Sequence, residues 1–345
     1  MTSARRLPAE WEPQSAVMLA WPHEDSDWAP WLDAVETVYL ELAIRISRRQ
    51  GLLIVCRDAH LQQQLAARLK QAGVTQERLR LFVAPYNDTW VRDYGPLSVL
   101  EDGRPRLLDF IFNGWGGKYP AQLDDEVTRH LQQQDAWGDI PLESVDFVLE
   151  GGSLDSDGAG TLLTSRRCLL HPRRNPGWRR EQIQQRLQRT LGAQRLLWLD
   201  HGIIVGDDTD GHIDMLARFC DSRTIAYSSC AERSDAHFEE LRLMKQELAA
   251  LRTAGGQPYH LVPLPLPAAK FNEQGQRLPA SYANFLIIND AVLVPCYDDP
   301  ADETALAALA PCFPEREMVP IPALPLVMQH GSVHCVTMQL PEGIL

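Results

Sequence analysis

Short apolar runs alternate with longer segments of helical periodicity along this chain. Val17 to Trp21 reads as a strand. Trp28 to Arg48 reads as a helix, because Trp31, Val35, Val38, Tyr39, Leu42 and Ile46 recur on one face. Leu52 to Cys56 is an apolar strand, Leu61 to Ala72 a helix and Leu79 to Ala84 a strand. After Gly95-Pro96, Leu97 to Leu100 and Leu107 to Phe112 form a hairpin pattern. Asn113 to Gly117 is a loop, Asp124 to Gln134 a helix, and the strand Val145 to Leu149 runs into Glu150-Gly151-Gly152.

The second half keeps the rhythm. Strands are expected at Thr161 to Thr164, Cys168 to Leu170, Leu196 to Leu199, Ile203 to Val205, Met215 to Cys220 and Thr224 to Ser228. Others are expected at Tyr259 to Pro263, Asn284 to Ile288 and Ala291 to Val294. Helices are expected at Trp178 to Leu191, Ser234 to Arg252 and Ala301 to Ala310, and the last element is His334 to Gln339. Strand pairs alternate with single helices. No linker, low-complexity tract or composition break divides residues 1–345, so one α/β domain is expected.

The most polar interruption follows Ile203 to Val205. There Gly206-Asp207-Asp208-Thr209-Asp210-Gly211 forms a loop too polar to be core, and His212 and Asp214 follow at alternate positions. On an extended chain both would leave the backbone on one face.

Composition narrows the classes. Of 345 residues, 45% are hydrophobic and 23% charged, an ordinary globular balance. No apolar run is long enough to span a bilayer, and Met1 to Trp11 lacks an apolar signal segment, so a cytoplasmic location is expected. The seven cysteines are odd in number, scattered and without a C-x-x-C pair, against both a disulfide framework and a cysteine zinc site. The net charge of −13 disfavours nucleic acid. It serves either solubility or attraction of a cation into an acidic cleft.

Asp93, Glu150, His212, Asp214 and Cys335 each end a strand or occupy a glycine-flanked turn beside one. Each has a bland reading. Cys335 fits a buried core residue as well as a nucleophile, although Gly331, Ser332, His330 and His334 favour an accessible thiol with a cation nearby. His212 fits a structural histidine or an acid–base group. Asp207, Asp208 and Asp210 fit a solvated loop or a metal site, but the calcium-loop spacing is not met. Asp93 fits a local ion pair with Arg92, and Glu150 a solvated strand end. Trp90 and Trp115 fit core aromatics or the walls of a cation pocket.

Trp90-Val-Arg-Asp-Tyr-Gly-Pro96, Phe112-Asn-Gly-Trp-Gly-Gly-Lys-Tyr119, Glu150-Gly-Gly152, Asp207-Asp-Thr-Asp-Gly-His-Ile-Asp214 and His334-Cys-Val-Thr337 occur in this order. Pro8-Ala-Glu-Trp-Glu-Pro13 and Ala20-Trp-Pro22 precede them. Together they resemble the agmatine deiminase family, which includes the Porphyromonas-type peptidylarginine deiminases, over almost the whole chain. The resemblance implies a pentein-type α/β propeller, five ββαβ units around a pseudo-fivefold axis with the site at the centre. It implies hydrolysis of agmatine to N-carbamoylputrescine and ammonia, a step toward putrescine, without metal or organic cofactor. A homodimer is plausible from the family alone.

Carried onto matching positions, the family roles make Cys335 the nucleophile and His212 the general acid and base. Glu150 orients His212 and touches the substrate, Asp93 and Asp214 grip the guanidinium, and Asp208 helps bind it. A guanidinium is planar and stays charged, so edge carboxylates fix its plane and present its carbon face-on to sulfur. Two departures bear on the substrate rather than the chemistry. Gln329-His330-Gly331 stands where the family has a glycine run, and Asp210 and Met215 stand where it has Asn. An acidic loop with no basic residue favours a cationic tail. The alternatives are a deiminase of free arginine or of a peptide's C-terminal arginine, a cysteine peptidase or amidase, a guanidine-binding protein without turnover and, more remotely, a metal hydrolase.

Overall fold

A computed structural model describes residues 5–345; residues 1–4 of the N-terminal segment lie outside the described residues. Five small sheets share one pairing scheme, an antiparallel pair followed by a parallel strand. One contains Leu97–Glu101, Arg104–Ile111 and Leu142–Val148, with Arg5–Arg6 added at its edge. The next contains Leu154–Ser156, Thr161–Ser165 and Arg195–Leu199. Ala217–Asp221, Thr224–Ser228 and His260–Leu264 form another. Leu286–Ile288, Ala291–Cys296 and Glu317–Pro322 form a fourth. In the remaining sheet the chain ends meet: Met338–Pro341 pairs antiparallel with Gln14–Ala20, which runs parallel to Gly51–Cys56 and then to Leu79–Val83.

Each parallel step is a helical crossover. Leu32–Ser47 joins Gln14–Ala20 to Gly51–Cys56, and Val127–Gln133, Arg180–Leu191, Phe238–Ala250 and Ala301–Leu309 serve the other four sheets. Buried strands explain the unbroken apolar runs. Val17 to Ala20, Leu52 to Cys56 and Ala291 to Val294 are fully covered. Of the cysteines, Cys56, Cys168, Cys220 and Cys335 are buried, Cys230, Cys296 and Cys312 partly so, and all seven are unpaired.

Several expected elements differ. Ile203 to Val205 is not a strand. Positive φ at Gly202 and Gly206 breaks the chain on both sides. The Val205 and Gly202 amides donate to His237 Nε2 at 2.8 Å and Glu240 at 3.2 Å, in place of a ladder. Cys168 to Leu170 belongs to a helical turn, Arg166–Leu169, capped by Ser165 Oγ, which accepts from the Cys168 amide at 3.2 Å. The backbone around His212 and Asp214 is not extended: Ile213–Met215 is a 3-10 turn. The first helix begins at Leu32, behind the 3-10 turn Ala29–Trp31, and the last strand begins only at Met338.

One charge ties the sheets together. Arg218, 1% exposed, donates to Phe285 O at 2.8 Å and Glu10 at 2.9 Å, and lies 3.3 Å from Asp155. Removing it takes the cation from buried Asp155 and one of the partners of buried Glu10. Arg218→Leu should therefore lower unfolding free energy by about 3–5 kcal/mol, read from the urea midpoint, and Arg218→Lys should lose less.

Candidate active site

The segments linking successive sheets carry the polar residues singled out from the sequence. Asp93 lies between Leu79–Val83 and Leu97–Glu101, Glu150 between Leu142–Val148 and Leu154–Ser156. His212 and Asp214 lie between Arg195–Leu199 and Ala217–Asp221, and Cys335 between Glu317–Pro322 and Met338–Pro341. The remaining link, between His260–Leu264 and Leu286–Ile288, carries Asn284. Asn284 was missed, because nothing in its neighbours marks it; the repetition of the linking position does.

These residues meet. A Cβ on Gly152 would lie 2.7 Å from His212 Nδ1, 2.8 Å from Asp93 Oδ1 and 3.0 Å from Asp214 Oδ2. Glycine is therefore required for this convergence. Asp93 Oδ2 accepts from Trp115 Nε1 at 2.8 Å, and its Oδ1 accepts from the Gly152 amide at 2.9 Å and lies 3.6 Å from His212 Nδ1. Cys335 Sγ is 3.8 Å from Asp214 Oδ2 and 3.2 Å from Asn284 Nδ2. The backbone amides of His334 and Cys335 both donate to Asn284 Oδ1. His212 Nε2 and Asp214 Oδ1 are buried without a hydrogen-bond partner in the protein.

Glu150 is fully buried and paired with Arg174, another residue the sequence did not reveal. Arg174 Nε donates to Glu150 Oε1 at 2.8 Å, Nη2 to Thr209 O at 2.8 Å, and Nη1 to Asp210. The acidic loop is therefore not a free cluster. Asp210 is also paired with Lys118 at 2.8 Å, and Asp207 accepts from the amides of Thr209 and Gly211. Of the three, only Asp208 lines the cleft that leads to Cys335. Glu150, Cys168 and His212 place one donor atom each within 4.8 Å of one another, but a cation there would have to compete with Arg174.

That cleft encloses about 500 Å³ including its mouth. Trp90 and Trp115 wall it, as does Gly331, where a Cβ would come within 2.1 Å of Trp90 Cζ3. Trp115 adopts a left-handed backbone (φ 54°, ψ 43°) between Phe112 and Tyr119, which it meets edge-on, and the Tyr119 hydroxyl donates to Asp208 Oδ2 at 2.8 Å. Asp27 and Asp88, absent from the candidates above, also line it; no Arg or Lys does among the described residues. Arg166 and Arg167 are exposed.

The charges shift one another. Burial, with Asp214 and Asp93 alongside, pushes the Cys335 thiol well above its usual range. The expectation that His330 or His334 would activate the thiol fails, since His330 Nδ1 serves Gly206 O at 2.8 Å and His334 is held by carboxylates. Burial opposes charge on His212, but Asp93, Cys168 and Glu150 outweigh it and hold the imidazole well above its ordinary value. Burial pushes Asp93 up, against His212 and the Trp115 donor. Burial would raise Asp214 too, but the His334 hydrogen bond and charge bring it below the usual value.

A buried thiol among carboxylates, beside a histidine and under an acidic cleft, defines a cysteine-centred site for a cation. The sequence profile of the Porphyromonas-type peptidyl-arginine deiminases matches residues 6–341. The agmatine deiminase of Stutzerimonas stutzeri (strain A1501) is 33% identical over 358 aligned positions, 97% of this chain and 95% of that protein. A cysteine-to-serine variant of Campylobacter jejuni agmatine deiminase, solved with substrate bound, superposes with a TM-score of 0.92 at 36% identity, covering 99% of this chain and 98% of that one. A Porphyromonas gingivalis structure described as a candidate arginine deiminase gives 0.91 at 48% identity, covering 99% of both chains. The chain belongs to the Porphyromonas-type peptidyl-arginine deiminase family.

The thiol's environment sets its reactivity. Iodoacetamide should alkylate Cys335 in the free protein slowly at about pH 7, with a rate still rising past about pH 9. Label on Cys335→Ala provides the background. A Cys335 inflection below about pH 7.5 contradicts the electrostatics above.

Proposed function

We propose that this protein hydrolyses agmatine to N-carbamoylputrescine and ammonia through a covalent amidino-cysteine. The observation that carries the reading is the convergence of Asp93, His212 and Asp214 on Gly152, with Cys335 Sγ 3.8 Å from Asp214. Carboxylates flanking a thiol suit a flat cation and repel an oxyanion, which disfavours a peptidase. Support for one domain of five ββαβ units around a pseudo-fivefold axis comes from five like sheets whose links all contribute to the site. Seven unpaired cysteines suit a reducing cytoplasm. Among the described residues no helix is long and apolar enough to cross a membrane.

Asp93 and Asp214 hold the guanidinium edges, Glu150 supports His212 and the substrate, and Trp90 and Trp115 bound the slot. The bound cation offsets the carboxylates around Cys335 and lowers its thiol pKa, so the thiolate forms as substrate arrives. Sulfur adds to the guanidinium carbon. His212, held protonated, gives its proton to the departing nitrogen, which leaves as ammonia. His212, now neutral, takes a proton from water, whose oxygen adds to the same carbon. The C–S bond then breaks as the adduct gives up its hydroxyl proton to solvent, releasing the urea product and the thiolate, which regains from solvent the proton it lost there as substrate bound. No step calls on a metal or organic cofactor.

Asp27, Asp88 and Asp208 at the mouth match the ammonium of agmatine and repel the carboxylate of arginine. Agmatine should exceed arginine and a peptide ending in arginine by at least about tenfold in kcat/KM, about 1.4 kcal/mol, measured by ammonia release, with no turnover by Cys335→Ala. Equal rates on arginine would sink the tail argument. Burial, aided by Asp27, pushes Asp88 up to about 6. Below that pH Asp88 becomes neutral and attracts the ammonium less. The agmatine KM should therefore rise as pH falls through about 6, and Asp88→Asn should remove this component while raising KM at neutral pH.

A further inference from the structure

We propose that His334 is a positioning residue, an imidazolium clamped between Glu10 and Asp214 that keeps Asp214 ionised and turns its Oδ1 toward a guanidinium N–H. The inference rests on the deimination reading for its substrate and on geometry for the rest. His334 is 2% exposed, Glu10 5% and Asp214 0%. His334 Nδ1 lies 2.8 Å from Asp214 Oδ2, and Nε2 lies 2.8 Å from Glu10 Oε2. A neutral imidazole has one N–H and one lone pair. It would set that lone pair against one of two carboxylates, so both contacts hold together only with both nitrogens protonated.

The surrounding charges favour this state. Glu10 comes from the N-terminal segment, Asp214 from the Ile213–Met215 turn and Asp155 from the strand Leu154–Ser156. Arg218 donates to Glu10 at 2.9 Å and lies 3.3 Å from Asp155. Arg92, from the Val91–Tyr94 turn, donates from Nε to His334 O at 3.2 Å and brings Nη2 to 3.9 Å from Glu10. With His334 charged, three cations face three carboxylates; with it neutral, the buried group carries a net negative charge. Burial would raise Glu10, but Arg218, His334 and Arg92 hold it well below the usual carboxylate range.

The consequence falls on the thiol. Asp214 Oδ2 is occupied by His334 and also lies 3.8 Å from Cys335 Sγ. An Asp214 kept ionised stays an acceptor when substrate arrives. The same turn carries His334 and Cys335, whose backbone amides share Asn284 Oδ1, a contact that holds the thiol's backbone independently of the imidazole.

Two readouts test this. In the free protein, nitrogen-15 NMR at neutral pH should show a proton on both ring nitrogens of His334, as its two carboxylate contacts require, with assignment by loss of the signals in His334→Gln. His334→Gln should raise the agmatine KM by at least about tenfold and change kcat by less than about threefold, as for lost ground-state binding. Glu10→Gln keeps the shape but not the charge. It should leave one ring nitrogen of His334 without a proton and raise the agmatine KM. Should His334→Gln not fold, Glu10→Gln carries the kinetic test. A His334 ring carrying a single proton in the wild type, or an unchanged KM in a folded variant, overturns the proposal. If wild type turns over a different guanidine, the KM arm moves to that substrate. If it turns over none, the deimination reading fails and the nitrogen spectrum alone decides His334.

Discussion

A buried site that waits for a cation must keep several carboxylates ionised before the cation arrives. That constraint organises the centre of this molecule. Asp214, Glu150 and Asp93 each have donors or a counter-charge within the protein. His334 stands behind Asp214, Arg174 behind Glu150, and Trp115 Nε1 with the Gly152 amide behind Asp93. Desolvating an unpaired carboxylate would cost several kcal/mol or neutralise it. Asp214, although paired, keeps one free edge, its partnerless Oδ1.

The backbone meets the same demand through repetition. Each sheet ends on a parallel strand, and four of the five links to the next sheet contain a short helical or 3-10 segment, the link with Asn284 holding the strand pair Lys270–Phe271 and Arg277–Leu278 instead. Val91–Tyr94, Gly151–Ser153 and Ile213–Met215 are such links. A tight turn spaces functional groups more closely than an extended strand can. That is how His212 and Asp214 reach the same point without the alternation expected of a strand. It also explains the glycines: Gly152 leaves no room for a side chain where three functional side chains meet, and at Gly151 a Cβ would come within 2.2 Å of Arg92 O.

Much of this was readable from the letters. The apolar runs located most strands, since buried strands need no polar alternation, and the strand-end polar residues Asp93, Glu150, His212, Asp214 and Cys335 were singled out before any fold was known. The misses share a cause. Ile203 to Val205 is apolar enough for a strand, yet its backbone donors are taken by His237 and by Glu240 next to it, far along the chain. Arg174, Arg218, Asn284 and Glu10 act through partners tens to hundreds of residues away, and no local pattern announces such pairings.

The acidic loop shows how an expectation can rest on the wrong atoms. Asp207, Asp208 and Asp210 suggested a tail site for a cation because no basic residue stood beside them in sequence. In space Arg174 and Lys118 neutralise Asp210, and Asp207 caps its own loop. What remains for a cationic tail is Asp208, joined by Asp27 and Asp88 from a distant segment. The field at the mouth therefore depends on how Trp28 and Trp90 pack, because Trp28 Nε1 donates to Asp88 at 3.1 Å and its ring lies 5.4 Å from that of Trp90. The same pair of aromatic rings thus holds Asp88 at the mouth and shapes the slot, and a change at Trp28 would alter both without touching the thiol.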